Sequence, residues 1–485
     1  MSISRALTWL AEQEPGAVAV RDDHRVLTRR ELDLESNRLA RAYARLGVRA
    51  DDLVSIALPN GVQPYVVASA VWKLGATPAP VSPSLPAGEL EALVELADPA
   101  LVVGAEVAGR TCLPSGWAPP ELPDAPLADA AARCWKASTS GGSTGRPKLV
   151  LAAGPATVDP TRPAAAFLPG AGAVQLVAGP VHHSTPFTYS MRGLMTGHAL
   201  VVLPRFDPQR WLDAVAEHRV TWTALVPTMM HRIARVPARD GADVSSLESV
   251  LHLGAPCPPA LKRTWIEWLG PERVVELYAG TEAGGLALIG GADWLAHPGS
   301  VGRGVGGSEF RVLDQAGSEV AAGTTGEVFM RRTGGATYTY RGAQARVVDG
   351  WESLGDMGFL EPGGWLHLTD RGADVVLTAG TTVYPAQVEA VLEQHPAVRS
   401  CAVVGLPDED RGERLHAVVD VGAEDGPPAR VTAAELLAWA REHLDPEAAP
   451  RSVELVRTPV RDDAGKVRRG ALRAARLPRG STGGG

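Results

Sequence analysis

The hydrophobic residues of the first hundred positions follow a repeating order of helical and extended patterns. In LTRRELDLESNRLARAYARLGV the apolar residues Leu32, Leu39, Tyr43 and Leu46 recur at helical spacing, and Gly47 follows as a stop signal. The segment DDLVSIALPN then predicts a short buried strand, and VQPYVVASAVWKLGATPAPVS predicts a helix, a glycine exit and another strand. This alternation is typical of a layered α/β domain with parallel strands.

The alternation continues to about residue 300 and then gives way to a different pattern. LVVLPRF, TWTALVPT and VLHLGAP predict buried strands, with a helix near Pro208–His218 between the first two. From Gly302, the segments EFRVLD, GEVFMRR, ATYTYRG and GWLHLTDR are short alternating runs separated by glycines, which predicts a small antiparallel sheet or barrel. After Arg371, about 110 residues predict a compact α+β unit, a normal domain size.

These patterns predict an α/β protein with two domains. We expect a large N-terminal domain of layered α/β sheets plus a small β-barrel at residues 1–370, a boundary segment at 371–373, and a smaller α+β C-terminal domain at 374–476. Residues 477–485, which end in GSTGGG, are expected to form a disordered tail.

Composition and charge narrow the class of function. The 485 residues carry a formal net charge of −8, which provides no general attraction to nucleic acid or anionic lipid. The four cysteines are far apart and lack CxxC spacing, so neither a disulfide framework nor a zinc site is expected. The start MSISRALTWLAEQEPG has no apolar signal-peptide core, and no stretch is long enough to span a membrane. We therefore expect a cytoplasmic enzyme, with a homodimer as one option for its assembly.

The stretch STSGGSTGRPK at residues 138–148 allows two interpretations. Its composition fits a flexible glycine–serine linker, yet it joins two apolar segments inside the α/β pattern. Hydroxyls, unhindered backbone amides and cations are also the groups that bind a polyphosphate. The spacing is not that of a Walker loop, so the stretch favours phosphate binding without naming a reaction. The groups concerned are Ser140, Gly141, Gly142, Ser143, Thr144, Gly145, Arg146 and Lys148.

Three further motifs are individually weak. In ELYAGTEAGG, Tyr278 could stack on a base and Glu282 could bind Mg²⁺, but the same segment could be a helix cap. Asp356 in LGDMGFL could hold ribose hydroxyls or belong to a plain β-turn. Lys466 in DDAGKVRRG, with the two arginines that follow it, would on its own be typical of a solvated basic face.

Taken together and in this order, the motifs resemble those of the adenylate-forming superfamily, which includes acyl-CoA and aryl-CoA synthetases, luciferases and the adenylation domains of peptide synthetases. The resemblance runs from about Leu7 to Leu472 and also includes PVHHSTPF, HLGAP and LTDRGADVVLTAG. The stretches SGGSTGRPK and HPGSVGR are most similar to bacterial CoA ligases that act on bulky carboxylic acids.

The resemblance implies ATP-dependent formation of an acyl-AMP from an aryl or medium-sized acid, with Mg²⁺ on Glu282 and CoA as the preferred acceptor. It implies that Thr281 contacts the α-phosphate, that Lys466 bridges the substrate carboxylate and the α-phosphate, and that His183 separates the acyl pocket from the acceptor tunnel. The implied ATP-binding residues are Ser140, Gly141, Gly142, Ser143, Thr144, Gly145, Lys148, Gly254, Ala255, Pro256, Tyr278, Asp356 and Arg371. The implied acyl-pocket residues are Ser184, Thr185, Phe187 and Tyr189.

The chain departs from the family's pattern where the acceptor enters. The small domain of this superfamily rotates after adenylation, and a Ser-Gly-Gly segment then lines the acceptor tunnel. Here Thr378, Ala379 and Gly380 take that place, and the hinge position is Ala373. A methyl group at Ala379 would narrow the passage. An amine, a carrier-protein thiol or another small nucleophile therefore stays open as the acceptor, as do nitrite in place of the carboxylate and a non-catalytic nucleotide-binding protein.

Overall fold

A computed structural model of the chain describes residues 1–141, 147–378, 381–422, 431–462 and 465–477. Residues 142–146 of the predicted phosphate loop (Gly142, Ser143, Thr144, Gly145 and Arg146), Ala379 and Gly380 of the predicted tunnel, and 478–485 of the predicted tail lie outside the described residues. The helices are α1 (Ile3–Gln13), α2 (Arg29–Arg45), α3 (Gln63–Lys73), α4 (Ala87–Ala97), α5 (Ser184–Met195), α6 (Pro208–His218), α7 (Pro227–Ala234), α8 (Pro259–Leu269), α9 (Gly291–Ala296), α10 (Pro385–Leu392), α11 (Ala433–His443) and α12 (Arg469–Ala474).

The strands of the described residues fall into four sheets. Those before residue 300 are β1 (Val18–Arg21), β2 (Val26–Thr28), β3 (Leu53–Ile56), β4 (Thr77–Pro80), β5 (Leu101–Val103), β6 (Cys112–Leu113), β7 (Ala137–Gly141), β8 (Pro147–Ala152), β9 (Val174–Val177), β10 (Ala199–Val202), β11 (Trp222–Leu225), β12 (Ser249–Leu253), β13 (Val274–Ala279) and β14 (Leu286–Gly290). The later ones are β15 (Ser300–Gly304), β16 (Ser308–Leu313), β17 (Gly326–Arg332), β18 (Tyr338–Arg341), β19 (Arg346–Val348), β20 (Trp351–Leu360), β21 (Leu366–Arg371), β22 (Val376–Thr378), β23 (Thr381–Val383), β24 (Ser400–Asp408), β25 (Gly412–Asp420) and β26 (Ser452–Val456).

The largest sheet carries six parallel strands in the order β13–β12–β11–β9–β10–β1. Its central strands are almost wholly buried because helices cover both faces, as parallel sheets require. Helices α6, α7 and α8 pack on one face around Trp211 and Trp265, and α5 packs between two further apolar clusters. A separate parallel sheet, β4–β3–β5–β6, lies near α3 and α4. The predicted layered α/β domain is confirmed.

Antiparallel strands extend the large sheet beyond β13. Strands β14 and β15 add to it, followed by β21, β20, β17 and β16, with β19 paired to β20. One strand that the sequence grouped with this region behaves differently: β18, from the segment ATYTYRG, pairs with β8 in a three-stranded sheet with β7. Its partner is almost two hundred residues away, which a local pattern of alternating residues cannot specify. This pairing carries Tyr340 to the strand that follows the predicted phosphate loop.

The C-terminal residues form the predicted smaller α+β domain. Strands β24 and β25 pair antiparallel along their whole length, β26 adds in parallel to β25, and the β22–β23 hairpin completes the sheet. Helices α10 and α11 cover it around a core that includes Val388, Leu392, Val403 and Leu436. No helix among the described residues is long and apolar enough to cross a membrane.

Candidate active site

The carboxyl ends of four neighbouring parallel strands bring the predicted site residues to one edge of the large sheet. His183 follows β9 and precedes α5, Val226 follows β11, Gly254 follows β12, and Glu282 follows β13. Ligands in open α/β sheets bind outside the carboxyl ends of the strands, so this edge is the expected place for a small-molecule site. The C-terminal domain lies against the same edge through Gly465.

Glu282 and Lys148 form a buried ion pair at this edge. Lys148 Nζ lies 3.0 Å from Glu282 Oε1, and Glu282 is only 5% exposed. The Tyr340 hydroxyl donates to the same carboxylate oxygen at 2.5 Å and lies 3.2 Å from Lys148 Nζ. Burial alone would raise the pKa of Glu282, but the hydrogen bond from Tyr340 and the charge of Lys148 outweigh it and lower that pKa. Glu282 is therefore an anion held in place by two donors.

Sequence reasoning missed Tyr340. The alternation in ATYTYRG predicts a strand, but only the pairing of β18 with β8 brings the hydroxyl to Glu282. Thr337 strengthens the same connection, because its hydroxyl donates to the backbone carbonyl of Glu282 at 2.9 Å. Burial and the hydrogen bond to Glu282 both raise the pKa of Tyr340, which therefore stays a protonated donor.

A side chain would not fit at Gly280 of the YAGTE motif, which explains why this position is a glycine. A Cβ at Gly280 would lie 2.4 Å from Leu354 Cδ1 and 2.8 Å from Glu282 Oε2. The backbone next to it is strained, since Ala283 has a φ of 52°, a value that residues with a Cβ rarely adopt. The tight turn over residues 280–283 thus aims the Glu282 carboxylate and keeps its second oxygen uncrowded. Thr281, in the same turn, is partly buried.

Tyr278, four residues before Glu282 in the sequence, forms a second polar pair with Asp356. The Tyr278 hydroxyl donates to Asp356 Oδ2 at 2.6 Å, and both residues are partly buried. Asp356 lies on β20 directly opposite Arg371, the last residue of β21. The structure thus brings the Tyr278 ring, the Asp356 carboxylate and the backbone of Arg371 close together.

The segment after β12 leaves the sheet through a left-handed glycine. Gly254 has a φ of 87°, and a Cβ there would lie 3.4 Å from Val226 Cγ1. Gly254 and Pro256 are exposed and Ala255 is partly buried, so this segment borders accessible space. It lies beside Tyr278 because β12 and β13 are adjacent parallel strands.

Lys466 lies in a turn that docks on the N-terminal domain. The Asp462 carboxylate accepts the Lys466 backbone N–H at 2.8 Å, and Gly465 adopts a φ of 74°. A Cβ at Gly465 would lie 3.1 Å from Thr228 Oγ1, so the turn contacts the start of α7 closely. Burial, the neighbouring His182 and the charge of Lys466 together lower the pKa of His183 to about 3. His183 is thus a neutral imidazole close to Lys466.

Two arginines anchor the Lys466 turn from both sides. Arg461 contacts Glu389 at 2.8 Å and donates to the Gly465 carbonyl, while Arg469 contacts the other oxygen of Glu389 at 2.6 Å and Asp374 at 3.0 Å. Glu389 is 3% exposed. Arg469, which the sequence placed on a solvated basic face, is therefore part of a buried ion network that fixes the turn. No motif or periodicity points to Glu389, because it lies far from both arginines in the sequence.

Direct contacts hold the two domains in this arrangement. Arg235 at the end of α7 donates to the Val398 carbonyl at 2.6 Å and the His395 carbonyl at 3.3 Å. The Asp370 carboxylate accepts the backbone N–H of Ala386 at 2.8 Å. Ala373, the predicted hinge, lies in a short 3₁₀ turn between β21 and β22.

The predicted acyl-pocket residues lie on different faces of α5. Tyr189 packs on Phe167 with ring centroids 6.2 Å apart, beside the β11–β13 part of the sheet. Ser184 accepts a hydrogen bond from Lys136, and Thr185 is partly buried. Phe187, in contrast, packs against Trp72 and Trp135 in the core of the N-terminal domain. The first strand of the predicted phosphate loop, β7, ends with Ser140 and Gly141.

Comparisons with known proteins identify the family of the chain. Residues 7–340 match the model of the AMP-binding enzyme family, and residues 387–466 match that of the AMP-binding enzyme C-terminal domain. A feruloyl-CoA synthase of Amycolatopsis sp is 33% identical over 96% of each chain, and the fatty acid–[acyl-carrier-protein] ligase ScoC of Streptomyces coeruleorubidus is 28% identical over 97% of this chain and 96% of its own.

Solved structures show the same architecture over nearly the whole chain. The amide bond synthetase McbA from Marinactinospora thermotolerans superposes with a TM-score of 0.80 at 26% identity, over 98% of this chain and 100% of its own. The o-succinylbenzoate CoA synthetase of Bacillus subtilis, with a TM-score of 0.80 at 22% identity over 97% and 98% of the two chains, shares the fold. With both family models matched in order, the chain belongs to the AMP-binding enzyme family, the adenylate-forming ligases that include the acyl-CoA and aryl-CoA synthetases.

Proposed function

We propose that this chain adenylates a carboxylic acid with ATP, releases pyrophosphate and transfers the acyl group to the thiol of CoA. The observation that carries the proposal is the docking of the Lys466 turn against Thr228, on the sheet edge that also holds the Glu282–Lys148 pair. Cations from both domains thereby converge on one small-molecule site. A module that only bound nucleotide would have no need for the second cation.

ATP binds along the segment from Tyr278 to Glu282. The base stacks on Tyr278, whose ring is held by its hydrogen bond to Asp356. The free acceptor capacity of the Asp356 carboxylate suits the ribose hydroxyls. The phosphates extend towards Lys148, with Thr281 at the α-phosphate and the segment from Ser140 to Lys148 around the β- and γ-phosphates. Gly254, Ala255 and Pro256 border the adenine, and Arg371 lies beside the ribose.

Glu282 fits a Mg²⁺ ion that is shared with the phosphates. Mg²⁺ in nucleotide sites is held by one or two carboxylates together with phosphate oxygens and water. Glu282 is ionised and fixed through one oxygen, and its other oxygen faces Gly280, where a Cβ would intrude. When bound, the ion neutralises charge on the phosphate oxygens. Because its pKa is lowered, Glu282 is ionised at neutral pH and is available as a ligand.

The chemistry requires two anions to approach each other. A carboxylate oxygen of the substrate attacks the α-phosphorus, the new O–P bond forms, and the bond to pyrophosphate breaks. In the proposed reaction Lys466 contacts both the substrate carboxylate and the α-phosphate, and Lys148 stabilises the departing pyrophosphate. Fixed cations at the oxygens where charge develops lower the barrier, since they need no reorganisation during the reaction. The neutral His183 adds no competing charge and separates the acid from the acceptor.

CoA is the acceptor that the relatives support. The feruloyl-CoA synthase is similar to this chain over 96% of its length. In the second step the CoA thiolate attacks the acyl carbon and AMP leaves, after rotation about Ala373 brings the segment at Ala379 and Gly380 to the site. A carrier-protein thiol, an amine and nitrite chemistry are the competing outcomes of the test.

The test measures both half-reactions. Pyrophosphate release is followed over a panel of aryl and medium-chain acids, and products formed with CoA are identified by mass spectrometry. A thioester mass supports the proposal, whereas accumulation of acyl-AMP in the presence of CoA contradicts the choice of acceptor. Nucleotide binding without pyrophosphate release for any acid would contradict the adenylation itself. Arg468→Ala is a matched control for Lys466→Ala. Arg468 is exposed, and the ion pair that it forms with Glu89 at 3.4 Å is exposed as well.

A further inference from the structure

Helix α5 carries a polar stripe that the adenylation chemistry does not use. Ser184, Thr188 and Arg192 recur every fourth residue, so they lie along one face of the helix. The neighbouring faces are apolar and buried in two different clusters, around Phe187 and around Tyr189. Arg192 is unexpected on this stripe, because a helix with apolar contacts on two sides rarely places an arginine without a partner between them.

Lys136, which directly precedes β7, contacts this stripe of α5. It is 7% exposed, and its Nζ donates to Ser184 Oγ at 2.9 Å and to Thr188 Oγ1 at 2.7 Å. An ammonium group has three N–H donors, so two neutral hydroxyls leave one N–H without an acceptor and provide no counter-charge. No carboxylate in the described part of the chain forms an ion pair with it. Buried lysines of this kind are costly unless a charge compensates them.

Arg192 places a second cation beside Lys136. It is partly buried, and its guanidinium lies 5.7 Å from the centroid of the Trp135 ring. Lys136 Nζ lies 5.3 Å from the same ring, so the two cations share one aromatic surface. Among the residues that the structure describes, no hydrogen bond or ion pair joins the Arg192 side chain to another side chain. Two neighbouring cations, neither in direct contact with a carboxylate of the described residues, form a cluster that suits an anionic ligand.

The cluster belongs to the acid-binding side of the molecule. Ser184 directly follows His183, which is close to Lys466. The charge of Glu282 also acts on Lys136, so the cluster and the nucleotide site are near each other. We propose that the acid activated by this enzyme carries a second carboxylate, which contacts Lys136 and Arg192 while the first carboxylate reacts. This inference rests on the proposed adenylation function and names its substrate class.

The charges around Lys136 predict how binding depends on pH. Burial and the positive charge of Arg192 lower the pKa of Lys136 to about 7, against smaller opposing effects of Cys134 and Glu282. An anion bound beside it favours the charged form and raises that pKa. Above pH 7 the free enzyme is therefore largely neutral at Lys136 and takes up a proton when the diacid binds. The KM for a diacid should rise above pH 7, by up to tenfold per pH unit, whereas that for a monoacid should not.

The experiment compares acids of equal shape. Terephthalic acid is paired with 4-isopropylbenzoic acid, and adipic acid with 6-methylheptanoic acid, and kcat/KM for pyrophosphate release is measured for each. We expect at least one diacid to exceed its monoacid partner by tenfold or more, and the diacid KM to follow the pH dependence above. Lys136→Met and Arg192→Met should each lower the diacid-to-monoacid ratio tenfold or more. Arg5→Met, an exposed arginine on α1, is the control that should keep the ratio.

The possible results separate this inference from the proposed function. If monoacids are activated as well as the diacids or better, or if both variants keep the diacid preference, the second-carboxylate site is wrong and adenylation stands. If no acid of either kind releases pyrophosphate, the adenylation proposal itself is contradicted. A purely structural role for Lys136 predicts a lower melting temperature in Lys136→Met, whereas a ligand site predicts an equal or higher one, because an uncompensated buried cation is removed.

Discussion

Replacing Tyr340 by phenylalanine tests the geometry around the nucleotide most simply. The substitution removes one oxygen atom and leaves the ring on β18. That oxygen donates to Glu282 Oε1 at 2.5 Å and lies 3.2 Å from Lys148 Nζ. The ion pair between Glu282 and Lys148, at 3.0 Å, remains in the variant. The change therefore isolates the contribution of one donor to the orientation and charge of Glu282.

The size of the effect follows from the type of hydrogen bond. A hydrogen bond to a charged group contributes about 1.5–3 kcal/mol, which corresponds to roughly 10- to 150-fold in kcat/KM. Because the Lys148 contact is retained, we expect the lower part of this range, about 10- to 30-fold, for ATP. The pKa of Glu282 should also rise, since a donor to its ionised form is lost. The acid side of the pH–rate profile should therefore move to higher pH.

The assay follows pyrophosphate release at several Mg²⁺ concentrations and from pH 5 to pH 8. We expect the loss in Tyr340→Phe to be partly reversed by high Mg²⁺, because the altered carboxylate is the ion's ligand. Tyr43→Phe is the control for the loss of a phenol hydroxyl, because Tyr43 is a buried core residue of α2 and is not part of the site. Unchanged kcat/KM and an unmoved acid limb in Tyr340→Phe would refute the role assigned to the Tyr340 hydrogen bond.

Three further substitutions test other parts of the site. Gly280→Ala should lower activity at least tenfold and lower the melting temperature, because its Cβ would lie 2.4 Å from Leu354 Cδ1; near-normal activity would refute the steric argument. Gly465→Ala should slow adenylation by about 5- to 30-fold, since a left-handed residue with a Cβ costs about 1–2 kcal/mol, while thioester formation from supplied acyl-AMP is unaffected. Glu389→Gln should destabilise the C-terminal domain by about 3 kcal/mol, measured by hydrogen exchange in α10, because it unbalances a buried ion network. Glu413→Gln breaks only the more exposed ion pair with Arg473 and should change the stability of the domain by less than about 1 kcal/mol.

Much of the fold was accessible from the pattern of the sequence. Periodicity locates the helix from Pro208 to His218, which buries one face, and continuous apolar runs locate the strands around it, which are buried on both faces. The order of the motifs points to Glu282, Asp356 and Lys466 only through the resemblance to the family, because Glu282 follows β13, Asp356 lies on β20 and Lys466 lies in the C-terminal domain. Each motif alone is weak evidence for a function, and the order of the motifs along the chain indicates the family.

The missed residues share one physical reason: their roles depend on contacts between distant segments. Tyr340 acts through the pairing of β18 with β8, and Glu389 acts through arginines some seventy and eighty residues away. Lys136, which directly precedes β7, contacts Ser184 and Thr188 only because this segment packs against α5. No local composition or periodicity records such partners. The register that creates them is set by the packing of the whole domain.

The two half-reactions of Lys466→Ala test most directly whether Lys466 acts in adenylation. We expect pyrophosphate release to fall by about a hundredfold or more, the usual loss for a group that stabilises developing charge. Conversion of supplied acyl-AMP and CoA to the thioester should stay close to the rate of the unaltered chain. Full adenylation activity in Lys466→Ala would show that Lys466 has no role in that step.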